Sequence, residues 1–185
     1  DPAGRQSELL LDKNVKVLIG SQTDEKFLKN LVETLPEMDI IIDDGGHMMN
    51  QQILTFKHLY NLVKDDGIYL CEDVCTSYWS EYGGGYKNKS TFIEFSKQLI
   101  DKQNAFYSKT VLLKPDDFTY SNTSITFYDG IVAFHKKKRQ KPKSLQKGKR
   151  FFEPEDDYKP EFLKKKTSLL DRFYKFYIKL RYFKS

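Results

Sequence analysis

The stretch MDIIIDDGGH, residues 38–47, decides the fold that this sequence predicts. It opens with an apolar run typical of a buried strand and ends abruptly in two acids, two glycines and a histidine. A second apolar run, residues 68–71, leads in the same way into the acids at 72–73. Between the two, residues 51–63 place apolar side chains at the spacing of an amphipathic helix. A strand, a helix and a strand in this order predict a right-handed crossover between parallel neighbours.

The flanking segments extend the same α/β pattern. Residues 14–20 read as a short buried strand, and residues 24–35 as a helix with one buried face, capped by Ser21 or Thr23. Two further strands flank the Asp-Gly pair at 129–130, which is a strong hairpin signal. We therefore expect an α/β domain whose parallel sheet is covered on both faces and closed by an antiparallel hairpin.

Charge is distributed unevenly along the chain. Residues 136–185 hold 18 of the 31 Lys and Arg residues but only 6 of the 26 Asp and Glu residues. A mildly acidic domain, residues 1–135, is thus followed by a basic linker, 136–160, and by a segment, 161–185, with the pattern of a cationic amphipathic helix. Such a tail suits an acidic surface of the domain, a second subunit in a homo-oligomer or an anionic membrane. Nucleic acid is disfavoured as a partner, because no nucleic-acid-binding module accompanies the tail.

The sequence offers no signal for membrane insertion or secretion. No apolar run approaches the roughly 20 residues that span a bilayer, and the opening residues are polar and charged. Cys71 and Cys75 stand four apart without further zinc ligands, so we expect free thiols. These features predict a cytoplasmic protein, and peripheral membrane contact through the tail stays open.

Acids that close two consecutive strands predict a cation site. Ligands bind beyond the carboxyl ends of parallel strands, and neighbouring strands lie about 4.8 Å apart, so Asp44, Glu72 and Asp73 should converge. Carboxylates at this range repel one another unless they share a cation, and oxygen ligands select a hard ion such as Mg²⁺. His47 would lie at the rim of the site as a proton acceptor. The alternative is that the acids cap helices or face water.

Several motifs recur in an order that is typical of one family. They are DIIIDDGGH at 39–47, ED at 72–73, TSYW at 76–79, GG at 83–84 and FYDGIVAF at 127–134. Together they resemble the metal-dependent sugar O-methyltransferases of macrolide biosynthesis, the macrocin and mycinamicin type. The resemblance spans roughly residues 14–135, and Gly46 departs from it where relatives more often carry Ser.

The resemblance implies a Rossmann-like class I methyltransferase fold that uses S-adenosylmethionine and Mg²⁺. Transferred by position, Asp44, Glu72 and Asp73 bind Mg²⁺, and His47 is the general base. The reaction implied is methylation of a hydroxyl on a sugar or glycoside, with the cation assisting deprotonation.

The resemblance also assigns residues to the cofactor and the acceptor. Ser21, Gln22 and Asp43 are assigned to the cofactor pocket, although a helix-capping turn explains Ser21 and Gln22 equally well. Tyr78 and Trp79 either stack on the acceptor or pack as a loop core. The first strand and the glycine-rich turn of the family do not precede residue 15. We therefore expect a chain truncated at its N-terminus that alone binds cofactor poorly and is inactive.

Two other functions stay open from the sequence. One is an enzyme that resembles the cephalosporin hydroxylase group, which shares the fold and the acid pattern. The other is a non-enzymatic membrane- or nucleic-acid-binding protein in which the acidic site is vestigial and the basic tail dominates.

Overall fold

The computed structural model describes residues 14–145 and 147–148 of the 185-residue chain. Within them the helices are α1 (Glu25–Thr34), α2 (Met49–Leu59), α3 (Phe92–Gln103) and α4 (Asp117–Ser121), and the strands are β1 (Met38–Asp43), β2 (Val63–Cys71), β3 (Asn122–Tyr128) and β4 (Ile131–Lys136). Short 3₁₀ turns occupy Tyr60–Leu62, Val74–Tyr78, Ser80–Tyr82 and Ala105–Tyr107.

The four strands form one mixed sheet in the order β1-β2-β4-β3. β1 and β2 are parallel and are connected through α2, and their last pair sets Asp43 opposite Cys71. β4 is antiparallel to both β2 and β3. The β3–β4 hairpin turns at Asp129 and Gly130, and Gly130 has φ 71°. The predicted α/β sheet with an antiparallel hairpin is therefore confirmed, and it is an open sheet.

β2 begins five residues before the apolar run at 68–71 from which it was predicted. Its ladder with β1 pairs Met38 with Val63 and then Ile40 with Ile68, so β2 advances five residues while β1 advances two. Asp66 lies in this irregularity with a left-handed φ of 71°. Asp65, Asp66 and Gly67, a combination typical of turns, make a bulge within the strand.

Helices α2 and α3 cover the same face of the sheet. Phe56 of α2 contacts the rings of Tyr69 and Phe134, with centroid distances of 5.0 and 4.5 Å. Phe92 of α3 joins this cluster at 6.2 Å from Phe56. Phe92, Tyr69 and Phe134 are fully buried. This aromatic cluster is the centre of the core.

The opposite face of the sheet is uncovered within the described residues. Ile40 and Ile42 of β1 are 62% and 60% exposed, and Ile68 of β2 is 38% exposed. α1 packs chiefly against α2 and leaves this face open. The expectation of helices on both faces is therefore wrong for the described part of the chain.

Residues 14–20 do not form the predicted strand. They have no regular secondary structure, and the side chains of Val15, Val17 and Ile19 are exposed. An apolar run is typical of a strand, but a strand also needs a neighbour with which to exchange backbone hydrogen bonds. In the part of the chain that the structure describes, β1 pairs with β2 along one edge and with nothing along the other.

α1 is capped by Asp24 and not by either of the predicted caps. The Asp24 carboxylate accepts from the backbone N–H groups of Lys26 (2.9 Å) and Phe27 (3.2 Å), which is the usual role of an N-cap. Ser21 and Thr23, the predicted caps, instead hydrogen-bond to each other through their hydroxyls at 2.9 Å.

Arg139, near the start of the basic segment, binds to the α/β domain. The Arg139 guanidinium donates to the carbonyls of Gln103 (2.9 Å) and Asn122 (2.8 Å) and lies 5.5 Å from the centroid of the Phe106 ring. Much of the predicted linker, 136–160, and all of the predicted helix, 161–185, lie outside the described residues. Among the helices that are described, none has the length and apolar content to cross a bilayer.

We expect Phe56→Ala to lower the free energy of unfolding by about 3–5 kcal/mol, because it removes the ring around which the aromatic cluster packs. Urea denaturation followed by circular dichroism measures this loss. Phe127→Ala is the control, since Phe127 is 41% exposed, and it should cost much less. Equal losses in the two variants would contradict this location of the core.

A second prediction concerns alkaline pH. Burial raises the pKa of Tyr60 to about 12, partly opposed by the hydrogen bond that its hydroxyl donates to the Ser121 carbonyl. An unfolded tyrosine ionises near pH ~10. The folded state therefore holds this proton more tightly, and the resulting stability is complete below about pH 10 and is lost as the pH rises towards about 12.

We expect the free energy of unfolding to fall over this range and the fall to become shallower in Tyr60→Phe. Urea titrations at pH values from about 9 to 12 test it, with Tyr107→Phe as the control, because Tyr107 is exposed. An identical pH dependence in Tyr60→Phe and the unmodified chain would contradict the prediction.

Candidate metal and catalytic site

The carboxyl ends of β1 and β2 lie side by side. Beyond the last strand pair, the Glu72 N–H donates to the Asp43 carbonyl at 3.0 Å. The parallel pairing thus continues by one hydrogen bond past the end of the ladder. It brings the two predicted acid motifs to adjacent strand tips.

Three of the predicted side chains converge at these tips. Asp44, His47 and Asp73 each offer one ligand atom, and these three atoms all lie within 4.8 Å of one another. His47 Nε2 is 3.9 Å from Asp44 Oδ1 and 3.6 Å from Asp73 Oδ2. Both aspartates are well exposed and the histidine is mostly buried. Glu72, the third predicted metal ligand, is half-buried, and its carboxylate is not part of this cluster.

The donor set fits a hard cation. Oxygen ligands bind Mg²⁺ at 2.0–2.1 Å, so the atoms around one ion lie roughly 3–4 Å apart. The ligand atoms of Asp44 and Asp73 lie within 4.8 Å of each other, which is close to that range. Two carboxylates at such short range repel each other, and a shared cation removes the repulsion. Because Mg²⁺ prefers oxygen to imidazole nitrogen, Asp44 and Asp73 could hold such an ion and leave His47 free to act as a neighbouring base.

Two of these residues have an unusual backbone conformation. His47 has φ 56° and Asp73 has φ 50°, both in the left-handed region that non-glycine residues rarely adopt. Each such residue costs on the order of 1–3 kcal/mol and persists only where its surroundings hold it. The two turns that present His47 and Asp73 are therefore held by specific contacts.

One of these contacts comes from Thr76, for which the sequence analysis proposed no role. Its hydroxyl lies 3.0 Å from the His47 carbonyl and 2.8 Å from the Asp73 carbonyl, and its side chain is buried. A threonine three residues after a strand-end acid is a local signal for a hydroxyl that returns to the backbone. The contact with His47, 29 residues away, has no such signal.

Gln22 and Asp43, two of the predicted cofactor residues, bind to each other. Gln22 Nε2 donates to Asp43 Oδ1 (2.6 Å) and to Thr55 Oγ1 (3.1 Å), and the Gly46 N–H donates to Gln22 Oε1 (2.8 Å). The Tyr69 hydroxyl donates to Asp43 Oδ2 at 2.9 Å. Gln22 and Asp43 therefore fix the turn that leads to His47. Ser21, the third predicted cofactor residue, is exposed in the turn before α1.

Gly45 and Asp43 show how closely this turn is packed. A Cβ atom on Gly45 would overlap the side-chain amide of Gln22, so only glycine allows Gln22 to approach. Burial raises the pKa of the Asp43 carboxyl, and hydrogen bonds from Tyr69 and Gln22 oppose part of this rise. The Asp43 side chain is thus buried, whereas the side chain of the neighbouring Asp44 is exposed to solvent.

The aromatic loop after Asp73 leaves both predicted acceptor residues accessible. Tyr78 is 54% exposed and lines a cavity of about 500 Å³ together with Phe127. Trp79 is 47% exposed and contacts the Tyr82 ring at 5.8 Å, and Tyr82 lines a second cavity, of about 600 Å³, together with Met48. These exposures favour acceptor contact over a packed loop core.

Both cysteines are free thiols, as the sequence predicted. Burial raises the pKa of the Cys71 thiol, and the nearby Asp43 carboxylate raises it further. A thiol of this kind is unreactive at neutral pH. Neither cysteine belongs to the acid cluster.

No family model matches the chain. The chain is 32% identical over 91 residues to the 8-demethyl-8-alpha-L-rhamnosyl tetracenomycin-C 2'-O-methyltransferase of Streptomyces olivaceus. The match covers 49% of this chain and 24% of that protein. It is 32% identical over 90 residues to the mycinamicin VI 2''-O-methyltransferase of Micromonospora griseorubida, covering 47% of this chain and 23% of that protein. The chain thus spans about a quarter of the length of the curated relatives it matches.

Solved structures give the same result. The chain resembles the MycE methyltransferase of the mycinamycin biosynthetic pathway, solved in complex with Mg, SAH and mycinamycin VI, with a TM-score of 0.61 and 25% identity. The match covers 66% of this chain and 32% of that one. The α/β architecture is thus that of a class I methyltransferase, and the resemblance of this chain to the macrocin- and mycinamicin-type sugar O-methyltransferases is confirmed over part of their length.

Proposed function

We propose that this chain supplies the metal site and the catalytic base of an S-adenosylmethionine-dependent O-methyltransferase that acts on a hydroxyl of a sugar or glycoside. The observation that carries the proposal is the convergence of Asp44, His47 and Asp73 at the tips of two adjacent parallel strands. The names of the relatives support it, since each describes an O-methyltransferase and several name a glycosylated acceptor.

In this proposal Asp44, after β1, and Asp73, after β2, hold Mg²⁺. Glu72, which directly precedes Asp73, is the third proposed ligand. The cation, when bound, lowers the pKa of the acceptor hydroxyl and orients the oxygens next to it. Asp43, buried beneath the exposed Asp44, stays bound to Gln22 and Tyr69 and keeps the turn in place. The exposed Asp44 and Asp73 therefore bind the cation in this proposal, whereas the buried Asp43 stabilises the turn.

His47 takes the proton of the acceptor hydroxyl at Nε2, the nitrogen that faces Asp44 and Asp73. Nε2 lies within 4 Å of one carboxylate oxygen of each aspartate, so the proposed base and the proposed metal ligands share one small volume. S-adenosylmethionine, when bound, supplies the methyl group as a sulfonium. We assign Ser21 to the cofactor through its exposed hydroxyl, and Gln22 and Asp43 through the turn that they fix.

The acceptor side of the site is assigned to Tyr78 and Trp79. Both rings are exposed in the loop that follows Asp73. Tyr78 lines one of the two cavities, and Trp79 contacts Tyr82, which lines the other. Aromatic rings of this kind give a sugar a flat apolar surface. The cephalosporin-hydroxylase-like and non-enzymatic alternatives are not favoured, because the matched relatives carry O-methyltransferase names.

For the basic segment the proposal rests on charge alone. Residues 136–185 concentrate the cationic side chains of the chain, and an acidic surface of this domain, a second subunit or an anionic membrane are the partners that this charge favours. Nucleic acid is the least favoured partner.

We expect the chain to bind one Mg²⁺ or Mn²⁺ ion, and Asp44→Asn or Asp73→Asn to weaken the affinity by at least about tenfold, since each removes a charged ligand. Isothermal titration calorimetry measures this. Asp39→Asn is the matched control, because Asp39 lies at the other end of β1 and pairs with Lys64. Binding that is equal in all these variants would place the ion elsewhere. Glu72→Gln tests the third carboxylate in the same way.

The role of His47 as base predicts a loss of turnover without loss of the metal. His47→Gln should lower kcat for methyl transfer to a glycoside by roughly 10²–10⁴-fold in the full-length protein. The Mg²⁺ affinity should stay close to its original value, because both carboxylates remain. His58→Gln, on α2 beside Glu25, is the control. A near-normal kcat in His47→Gln, or activity that resists EDTA, would contradict the mechanism.

A further inference from the structure

We propose that Thr76 is the positioning residue of this site, whose buried hydroxyl holds the backbone turns that present His47 and Asp73. The inference rests on the proposed metal site and goes beyond it, because it names what sets the base against the carboxylates. Thr76 is only 2% exposed, so it reaches neither solvent nor an acceptor and acts through the two residues it binds.

The hydrogen bonds around Thr76 show how one residue connects two turns. The Thr76 N–H donates to the Asp73 carbonyl (3.1 Å), and the Thr76 hydroxyl oxygen lies 2.8 Å from the same carbonyl. The His47 carbonyl lies 3.0 Å from the same hydroxyl, which is its only hydrogen-bond donor within the described residues. Because the backbone N–H already serves Asp73, the single hydroxyl proton is available to His47. Thr76 thereby connects the turn after β1 to the turn after β2.

The two residues that Thr76 contacts both have a strained backbone conformation. His47 and Asp73 both have left-handed φ angles, which side chains with a Cβ atom disfavour. Without the hydroxyl, His47 can relax to a common backbone conformation, and its imidazole then turns away from the acids. The Gln22 amide restrains the same turn from the other side through Gly46, so the chain does not lose the turn altogether.

Within the part of the chain that the structure describes, no hydrogen bond orients the His47 imidazole. His47 Nδ1 is buried and has no partner among the described residues. Histidines that serve as bases or ligands are commonly oriented by a hydrogen bond at this second nitrogen. Since that support is missing here, the direction of Nε2 depends on packing and on the backbone. The Thr76 hydroxyl fixes the backbone carbonyl of the same residue.

Thr76→Val and Thr76→Ser separate the hydroxyl from the side-chain volume. Val has nearly the shape of Thr and cannot donate, whereas Ser keeps the hydroxyl. The hydroxyl ties the turn that carries Asp44 and His47 to the turn that carries Asp73, and so sets the two carboxylates against each other. We therefore expect Thr76→Val to weaken Mn²⁺ binding to the chain by about 10–100-fold, the range found when a group that orients a metal site is lost. Thr76→Ser should keep an affinity close to that of the unmodified chain. Electron paramagnetic resonance of free Mn²⁺ measures the affinities, and circular dichroism checks that each variant is folded.

The outcomes are distinguishable. No Mn²⁺ binding by the unmodified chain overturns the proposed metal site itself. Binding by the unmodified chain together with equal binding by folded Thr76→Val overturns the role of Thr76 alone, even if that variant is less stable, because a merely structural hydroxyl would change stability and leave affinity unchanged. Should Thr76→Val not fold, Thr76→Cys takes its place, since a thiol is a weak donor. Unchanged affinity in Thr76→Cys would then overturn the inference.

Discussion

The parallel pairing of β1 with β2 is the constraint on which the site depends. It sets Asp43 opposite Cys71, and one further hydrogen bond from Glu72 carries the pairing past the end of the ladder. Asp44 and Asp73 follow these positions directly, so any slip in register would separate the two carboxylates. The aromatic core behind the sheet stabilises this register, because Tyr69 of β2 packs against α2 and also hydrogen-bonds to Asp43.

Beyond the strand ends the chain makes two turns that ordinary backbone preferences do not favour. The turn after β1 reaches His47 in a left-handed conformation, and the turn after β2 places Asp73 in another. Gln22 holds the first turn from the direction of α1, and Thr76 connects it to the second. Local strain is therefore offset by hydrogen bonds from residues outside the cluster of Asp44, His47 and Asp73. This is a common arrangement at functional sites.

The acid cluster could be predicted from the sequence because its signals are local. An apolar run that ends in acids identifies a strand tip, and the crossover rule makes the two tips neighbours. The contacts that orient the site are not local: Gln22 meets Asp43 across 21 residues, and Thr76 meets His47 across 29. The failed strand at 14–20 has the same cause, because its apolar pattern is local but its pairing partner is not.

The most direct test of the account is anomalous diffraction from crystals of the chain grown with Mn²⁺. The account predicts one strong peak in the anomalous difference map, within coordination distance of the carboxylates of Asp44 and Asp73, with the His47 imidazole beside it. A map without a peak between these two side chains, or with the ion bound elsewhere, would contradict it.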